Sequence, residues 1–295
     1  MKRIFGPDFN GTFFMVNFNG TIIASDATVL SHQNRGFQYG DALFETLRSI
    51  HSKLMFWEDH YFRLMAGMRV LRMEIPMEFT MEYLAAEIQR AVEANGLTDS
   101  PCRVRITVFR NYGGKYVPKD NQIGYLIEVS PMADAFYVID EAAYEVELFR
   151  DHYVNPGMLS NLKSTNKLLN IVAGVFAQEN DYENCLLVNT DKQLVEAING
   201  NLFLVFGNKI KTPPLTDGCL NGIVRKKLIE IVGKLEEFEI EAVSISPFEL
   251  QKADELFITN SISGVIPVTK YRKKSFENKV AKAMAAKLNT LARLT

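Results

Sequence analysis

Hydrophobic and polar positions change period several times along the chain, and each change marks an element. In FFMVNFNGTIIAS two short apolar runs flank Asn19-Gly20, a pair that accepts the positive φ angles of a tight turn, so a β-hairpin is predicted there. FETLRSI and KLMFW read as a second strand pair, parted by His51 and Ser52. From Glu58 the spacing becomes helical, with Tyr61, Leu64, Met65, Met68 and Leu71 on one stripe. Thr80 can cap another helix that carries Leu84, Ile88 and Val92 and stops at Gly96. In RVRITVFR, Val104, Ile106 and Val108 alternate with Arg and Thr, the signature of a half-buried strand.

SPMADAF then breaks the pattern with Pro and small residues. This places an N-terminal α/β domain at 1–130, a linker at 131–136 and a C-terminal α/β domain at 137–295. Beyond the linker YEVELF reads as a strand, and Leu168, Leu169, Val172, Val175 and Phe176 form a helical stripe. CLLVNTDKQLVEA and LFLVFGNKI read as hairpins, the first turning at Asn189 to Lys192 and the second at Gly207-Asn208. A helix follows from Gly222 with Val224, Leu228, Ile231, Val232 and Leu235 apolar. Ser246-Pro247-Phe248-Glu249 is a capping box, DELFIT a buried strand, and Val280, Met284, Leu288 and Leu291 a C-terminal helix. Strands and helices mix without strict β-α-β alternation, so the fold class expected is α+β (mixed α/β).

Composition narrows the function classes. With 295 residues, 47% hydrophobic and 23% charged, the chain is long enough for one large or two medium cores. A net charge of −2 with interspersed signs offers no basic face, so no nucleic acid is expected and a small molecule becomes the default ligand. Three cysteines without a C-x-x-C pair suit free thiols in a reducing compartment. The first residues lack an uninterrupted apolar run before Gly, Pro, Asp and Asn, and no later run is long enough to span a bilayer. The expectation is a cytoplasmic protein with no membrane partner.

Several familiar chemistries find no foothold. There is no G-x-G-x-x-G, Walker A loop, G-x-S-x-G elbow or H-E-x-x-H, and His32, His51, His60 and His152 lack ligand spacing, so no metal site is expected. What remains is scattered. SNLKSTNKLLN sets Lys163 and Lys167 four apart before a helical pattern; either is a solvated charge or, if partly desolvated, an amine able to act as nucleophile or base. Arg63 lies among apolar residues in DHYFRL, as a surface cation or an anion ligand. Gly222-Ile223-Val224 opens a helix, where first-turn N–H groups favour an anion. Ser261 and Ser263 end a buried strand and serve either phosphate or the turn.

Taken together and in order, these segments resemble the fold-type IV pyridoxal-phosphate enzymes, the class-IV aminotransferase family. NRGFQYGDALFETLR, HYFRL, LKSTNKLLN, VEAINGNLF, LNGIVR and TNSISGVIPV each resemble one of its segments, and six collinear likenesses cover most of the chain. The resemblance implies a two-domain fold-type IV architecture, pyridoxal 5'-phosphate as cofactor and a homodimer. It implies Lys163, not Lys167, as the lysine that bonds the cofactor aldehyde and then carries protons. Glu196 would hold the proton on the pyridine nitrogen, with Asn199 beside it in the family pattern. Arg63, Gly222, Ile223, Val224, Ser261 and Ile262 would hold the phosphate, Val224 standing where relatives commonly have threonine. Phe37, Tyr39 and Phe44 would bound the substrate, and Arg110 and Lys115 are candidate partners for its carboxylates or else solvated loop charges. The β-strand loop NYGGKYVPKD lacks the Arg-x-His pair of D-amino-acid aminotransferases, and Leu168 stands where branched-chain aminotransferases carry tyrosine. Gly113-Gly114 and Tyr116 look more like the 4-amino-4-deoxychorismate lyase branch. The lyase reaction is therefore the activity expected, with an aminotransferase of branched-chain or D-amino acids as the alternative and a non-catalytic scaffold as a third reading.

Overall fold

A computed structural model describes residues 14–294. The segment read above for a secretory signal and Phe13 of the first hairpin lie outside the described residues. The chain divides into two compact units: one runs to Ala135 and includes Lys163–Asn166, and the other comprises Phe136–Leu162 and Lys167–Leu294.

The first unit contains β1 (Met15–Phe18), β2 (Thr21–Ala24), α1 (Arg35–Tyr39), β3 (Ala42–Ile50), β4 (Lys53–Leu54), α2 (Trp57–Val70), α3 (Met81–Ala94), β5 (Cys102–Arg110) and β6 (Ile123–Pro131). Its six strands form one antiparallel sheet in the order β2-β1-β6-β5-β3-β4. Asn19 and Gly20 take the positive φ angles expected of the first turn, and His51 and Ser52 do the same at the second. β4 is shorter than KLMFW suggested, because Phe56 turns left-handed and leads into α2. Thr80 caps α3 by accepting from the Tyr83 N–H. Helix α2 lies on β3, and α3 lies on β1 and β6. Alternation along β3 sends Leu43, Glu45 and Leu47 toward the buried side and Phe44, Thr46 and Arg48 to the opposite face. Across β5 that opposite face continues through Thr107, Arg105 and Arg103.

The second unit contains β7 (Glu145–Leu148), α4 (Leu168–Glu179), β8 (Asn184–Val188), β9 (Leu194–Ala197), β10 (Gly200–Phe206), β11 (Lys209–Thr212), α5 (Ile223–Val232), β12 (Glu239–Ala242), β13 (Glu255–Asn260), β14 (Gly264–Val268), β15 (Lys270–Tyr271), β16 (Lys274–Ser275) and α6 (Lys279–Leu294). Its ten strands form a mixed sheet along β12-β11-β10-β9-β8-β7-β15-β16, with β13 joined to β10 and β14 to β13. Val146, Leu186, Leu202, Leu204, Leu256 and Ile258 form the centre of one core, while Phe149, Ala173, Cys185, Leu187 and Val195 form a second. The Ser246 capping box is present, but it opens a 3₁₀ turn at Pro247–Gln251 and not an α-helix. Helix α5 ends before Leu235.

One helical stripe differs from expectation. In α4 the buried residues are Ala173 and Ala177, whereas Leu168, Val172 and Val175 of the anticipated core stripe are exposed, with Ile171 beside them. Leu169 and Phe176 of that stripe do pack against the core. The sequence of α4 is apolar on nearly every side, so apolar spacing does not say which side faces in. No helix among the described residues is long and apolar enough to cross a membrane.

Candidate active site

Lys163 is placed by backbone bonds within the first unit. Its carbonyl accepts from the Phe44 N–H at 2.9 Å, Ser164 bridges Leu43 in antiparallel fashion, and the Thr165 N–H donates to the Ala42 carbonyl at 3.0 Å. The Thr165 hydroxyl and the Asn166 amide both donate to the Gly40 carbonyl. The lysine thus sits on a short strand-like segment against the start of β3, and its half-buried ammonium lies 4.4 Å from the centre of the Phe44 ring. Lys167 is the N-cap of α4. The two lysines of SNLKSTNKLLN therefore occupy unlike environments.

The same Phe44 ring has a second cation beside it. Arg105 holds its guanidinium 4.2 Å from the ring centre, and its Nε–H donates to the Thr107 hydroxyl at 3.3 Å. Its 3.7 Å pair with Glu128 is half exposed and weak. Sequence reading did not single out Arg105. The signal was available in the period of RVRITVFR, which places Arg105 and Thr107 on the side opposite Val104, Ile106 and Val108.

Arg63 lies on α2 and is almost buried. Its Nε–H donates to Glu45 Oε1 at 2.7 Å and its Nη2–H to Oε2 at 2.6 Å, a two-pronged pair. His60, one turn earlier, approaches Glu45 Oε2 through Nδ1 at 2.6 Å, and its Nε2 is buried without a hydrogen-bond partner among the described residues. Burial pushes the Glu45 carboxyl up, but the Arg63 charge and the hydrogen bonds from Arg63 and His60 outweigh it and hold the group at about 2. Burial pushes His60 below its usual range against the raising effect of Glu45, so the ring is neutral near pH 7. Glu45 was legible as an acid in the Leu43-Glu45-Leu47 register, since a charge on a buried face needs a partner.

Arg110 is not disposed as a loop charge. It is buried, and its donors go to Asp41, Asn121 and the carbonyls of Leu71 and Arg72. Asp41 also accepts from Arg35, whose Nη1 reaches the carbonyls of Gly113, Gly114 and Lys115. Arg110 is thus committed to the protein's own acceptors and is not assigned to substrate. Lys115 is exposed, as is Phe37, and Tyr39 lies 6.0 Å from Tyr116 between ring centres.

In the second unit Glu196 belongs to β9, between the buried Val195 and Ala197, and its Oε2 accepts from the Leu220 N–H at 2.9 Å. Asn201 donates to the Leu220 carbonyl at 2.8 Å, so two side chains tie the same turn. Gly222 follows as the N-cap of α5 and supplies no side-chain cap to the helix opened by Ile223 and Val224. A Cβ at Gly222 would run into Asn201 Oδ1, so the close approach of strand and turn requires glycine. Asn199 accepts from the Asn184 amide at 2.9 Å. At the β13–β14 turn, Asn260 Oδ1 accepts from the N–H groups of Ile262 and Ser263, and the Ser261 carbonyl accepts from the Tyr137 hydroxyl. The Ile262 N–H is therefore engaged within its own turn. Among the described residues no three His, Cys, Asp or Glu side chains group as a metal site.

The family model for amino-transferase class IV matches residues 42–271, from the first residue of β3 to the last of β15. The chain belongs to that family, and its fold is the two-part fold-type IV architecture. It is similar to the D-alanine aminotransferase of Bacillus licheniformis, 26% identical over 86% of this chain and 87% of that protein. It is also similar to the aminodeoxychorismate lyase of Vibrio harveyi, 24% identical over 80% of this chain and 85% of that protein. Among solved structures, the branched-chain aminotransferase of the archaeon Thermoproteus uzoniensis with norvaline superposes with a TM-score of 0.83 at 22% identity, covering 94% of both chains.

Proposed function

We propose that the protein is a pyridoxal 5'-phosphate enzyme that labilises the proton on the amine-bearing carbon of a small carboxylated amine, and that its reaction is that of 4-amino-4-deoxychorismate lyase. The residues fit such a cofactor. α5 opens without a side-chain cap at a glycine whose Cβ position is filled by Asn201, Glu196 is pinned and half-buried, and Lys163 is held on a fixed backbone segment. When bound, pyridoxal phosphate supplies an aldehyde that takes up the amine and a protonated ring that draws electrons from the neighbouring carbon. Lys163 would be the residue that bonds the aldehyde of the resting enzyme, and its amine would then carry the proton removed from the amine-bearing carbon. Glu196 would hold the proton at the pyridine nitrogen, while Arg63, the first-turn N–H groups of Ile223 and Val224 and the Ser261 hydroxyl would bind the phosphate.

The observation that carries the reaction type is the Phe44 ring with Arg105 and Lys163 beside it. A flat face bordered by a guanidinium suits a flat ring bearing a carboxylate, and a ring lying there would have the amine of Lys163 beside it. Loss of the proton on the amine-bearing carbon would let the enolpyruvyl group depart as pyruvate, to which Lys163 would return the proton, and the aromatic ring would be released as 4-aminobenzoate when the Lys163 amine displaces it from the aldehyde. The second reading is an aminotransferase of branched-chain or D-amino acids. It is supported by the same Arg105, which also suits an amino-acid carboxylate, and by the names of the relatives.

The test supplies enzymatically generated 4-amino-4-deoxychorismate and measures 4-aminobenzoate and pyruvate in equal amounts. In parallel, L-leucine, L-glutamate and D-alanine are offered with 2-oxoglutarate or pyruvate. Rapid conversion of an amino acid without 4-aminobenzoate replaces the lyase with the aminotransferase. Borohydride reduction followed by peptide mapping should leave the pyridoxyl mass on Lys163; a label on Lys167 would overturn that assignment. A cytoplasmic location accords with the three free, buried cysteines, of which burial pushes Cys185 and Cys219 up to about 12. A homodimer accords with the exposed apolar side of α4.

A further inference from the structure

Glu45 and His60 have no part in the chemistry above, yet both are buried, His60 paired with Glu45 and Glu45 paired with Arg63. A carboxylate removed from water is costly unless fully paired, and an apolar pair of similar size is often at least as stable. Packing alone therefore does not require an acid at position 45. The geometry shows what the acid does. Its two oxygens engage Nε and Nη2 of Arg63 together, which fixes both the plane of the guanidinium and its rotation about the side chain. His60 then fixes the carboxylate. It donates from Nδ1 to the same Oε2 that takes Arg63 Nη2, and its unpartnered Nε2 marks a neutral ring with its one proton on Nδ1. The direction of support runs from His60 to Glu45 to Arg63, and all three lie within the first unit.

We propose that Glu45 and His60 are positioning residues for Arg63, holding its guanidinium in the one orientation that receives the phosphate of the cofactor. This rests on the reading of Arg63 as a phosphate ligand. The arrangement favours phosphate over neutral groups because only an oriented fork gains from a tetrahedral anion. It acts on affinity for the phosphorylated cofactor and not on the reacting carbon.

The test titrates apoenzyme with pyridoxal 5'-phosphate and, separately, with pyridoxal, and takes the ratio of dissociation constants as the phosphate preference. The proteins are the parent, Arg63→Ala, Glu45→Gln, His60→Phe and His60→Asn. Asparagine can place an amide N–H where Nδ1 stands, whereas phenylalanine fills the space without a donor. The expectation is that Arg63→Ala abolishes most of the preference. Glu45→Gln and His60→Phe should lower it about tenfold while leaving pyridoxal binding unchanged, and His60→Asn should restore most of it. A parent-like preference in His60→Phe overturns the inference, as does equal impairment of His60→Phe and His60→Asn, which would indicate packing. If Arg63→Ala keeps the full preference, the phosphate reading itself fails. Should Glu45→Gln not fold, the two His60 variants still decide.

Discussion

Single residues in this protein do more than one thing, and Glu45 shows how pH exposes that. Its folded carboxyl sits at about 2 against an ordinary 4.5, and His60 sits below its ordinary 6.5. In both cases the unfolded chain binds more protons than the folded one on acidification, so both reduce stability as pH falls. His60 acts first, beginning near pH 6.5, and Glu45 follows between 4.5 and about 2. Each proton taken up only by the unfolded chain gives a slope of about 1.4 kcal/mol per pH unit. Denaturant unfolding of the apoenzyme between pH 7.5 and 5 should therefore show a decline that His60→Asn flattens. An unchanged decline in that variant would mean that His60 is not the group responsible.

At the scale of elements, the hairpins, the alternating strand β5 and the caps of α3 and the Ser246 turn follow from local chemistry, and the sequence pattern anticipated each of them. Residues 19–20, 51–52 and 207 carry the positive φ angles that their turns require. Elements defined by long-range pairing were not legible in that way. β6 pairs with β1 and the short β15 with β7, both far along the chain, while β14 and β16 close hairpins on β13 and β15 whose turns carry no Asn-Gly signal, and five-residue α1 shows too little periodicity to announce itself. The candidate site divides similarly. Lys163, Glu196 and Gly222 stood out through collinear motifs, whereas the strand periods mark the faces of Arg105 and Glu45 but not their partners, Phe44 across the β3–β5 pair and Arg63 and His60 on α2, which only the fold brings to them. Arg110 shows the converse: a charge at a strand end looks solvated until its acceptors on the α2–α3 connection and the following loop are seen. For the turn before α5 this gives a sharp expectation. Gly222→Ala should displace the 220–222 turn away from Asn201 and weaken pyridoxal phosphate binding by about tenfold or more, since first-turn N–H groups lose their aim. Parent-like affinity by fluorescence titration would remove the α5 N-terminus from the phosphate site.

On the scale of the whole molecule, α4 raises a question of solubility. Leu168, Ile171 and Val175 are 73%, 61% and 47% exposed on a helix whose other side is fixed to the core through Ala173 and Ala177. Single exposed apolar residues need no explanation, but several at helical spacing form a contiguous stripe of the kind that proteins cover with another surface. In the homodimer proposed above, a second copy of the chain would be that covering surface. Charge on this stripe should then act on assembly and not on folding, because the stripe lies on the side of α4 away from Ala173 and Ala177. Light scattering during size-exclusion chromatography should give the mass of two chains for the parent and of one chain for Ile171→Glu with Val175→Glu. Far-ultraviolet circular dichroism of that variant should match the parent. A dimer that survives both acids would place the contact elsewhere, and a parent that runs as a single chain would remove the homodimer altogether.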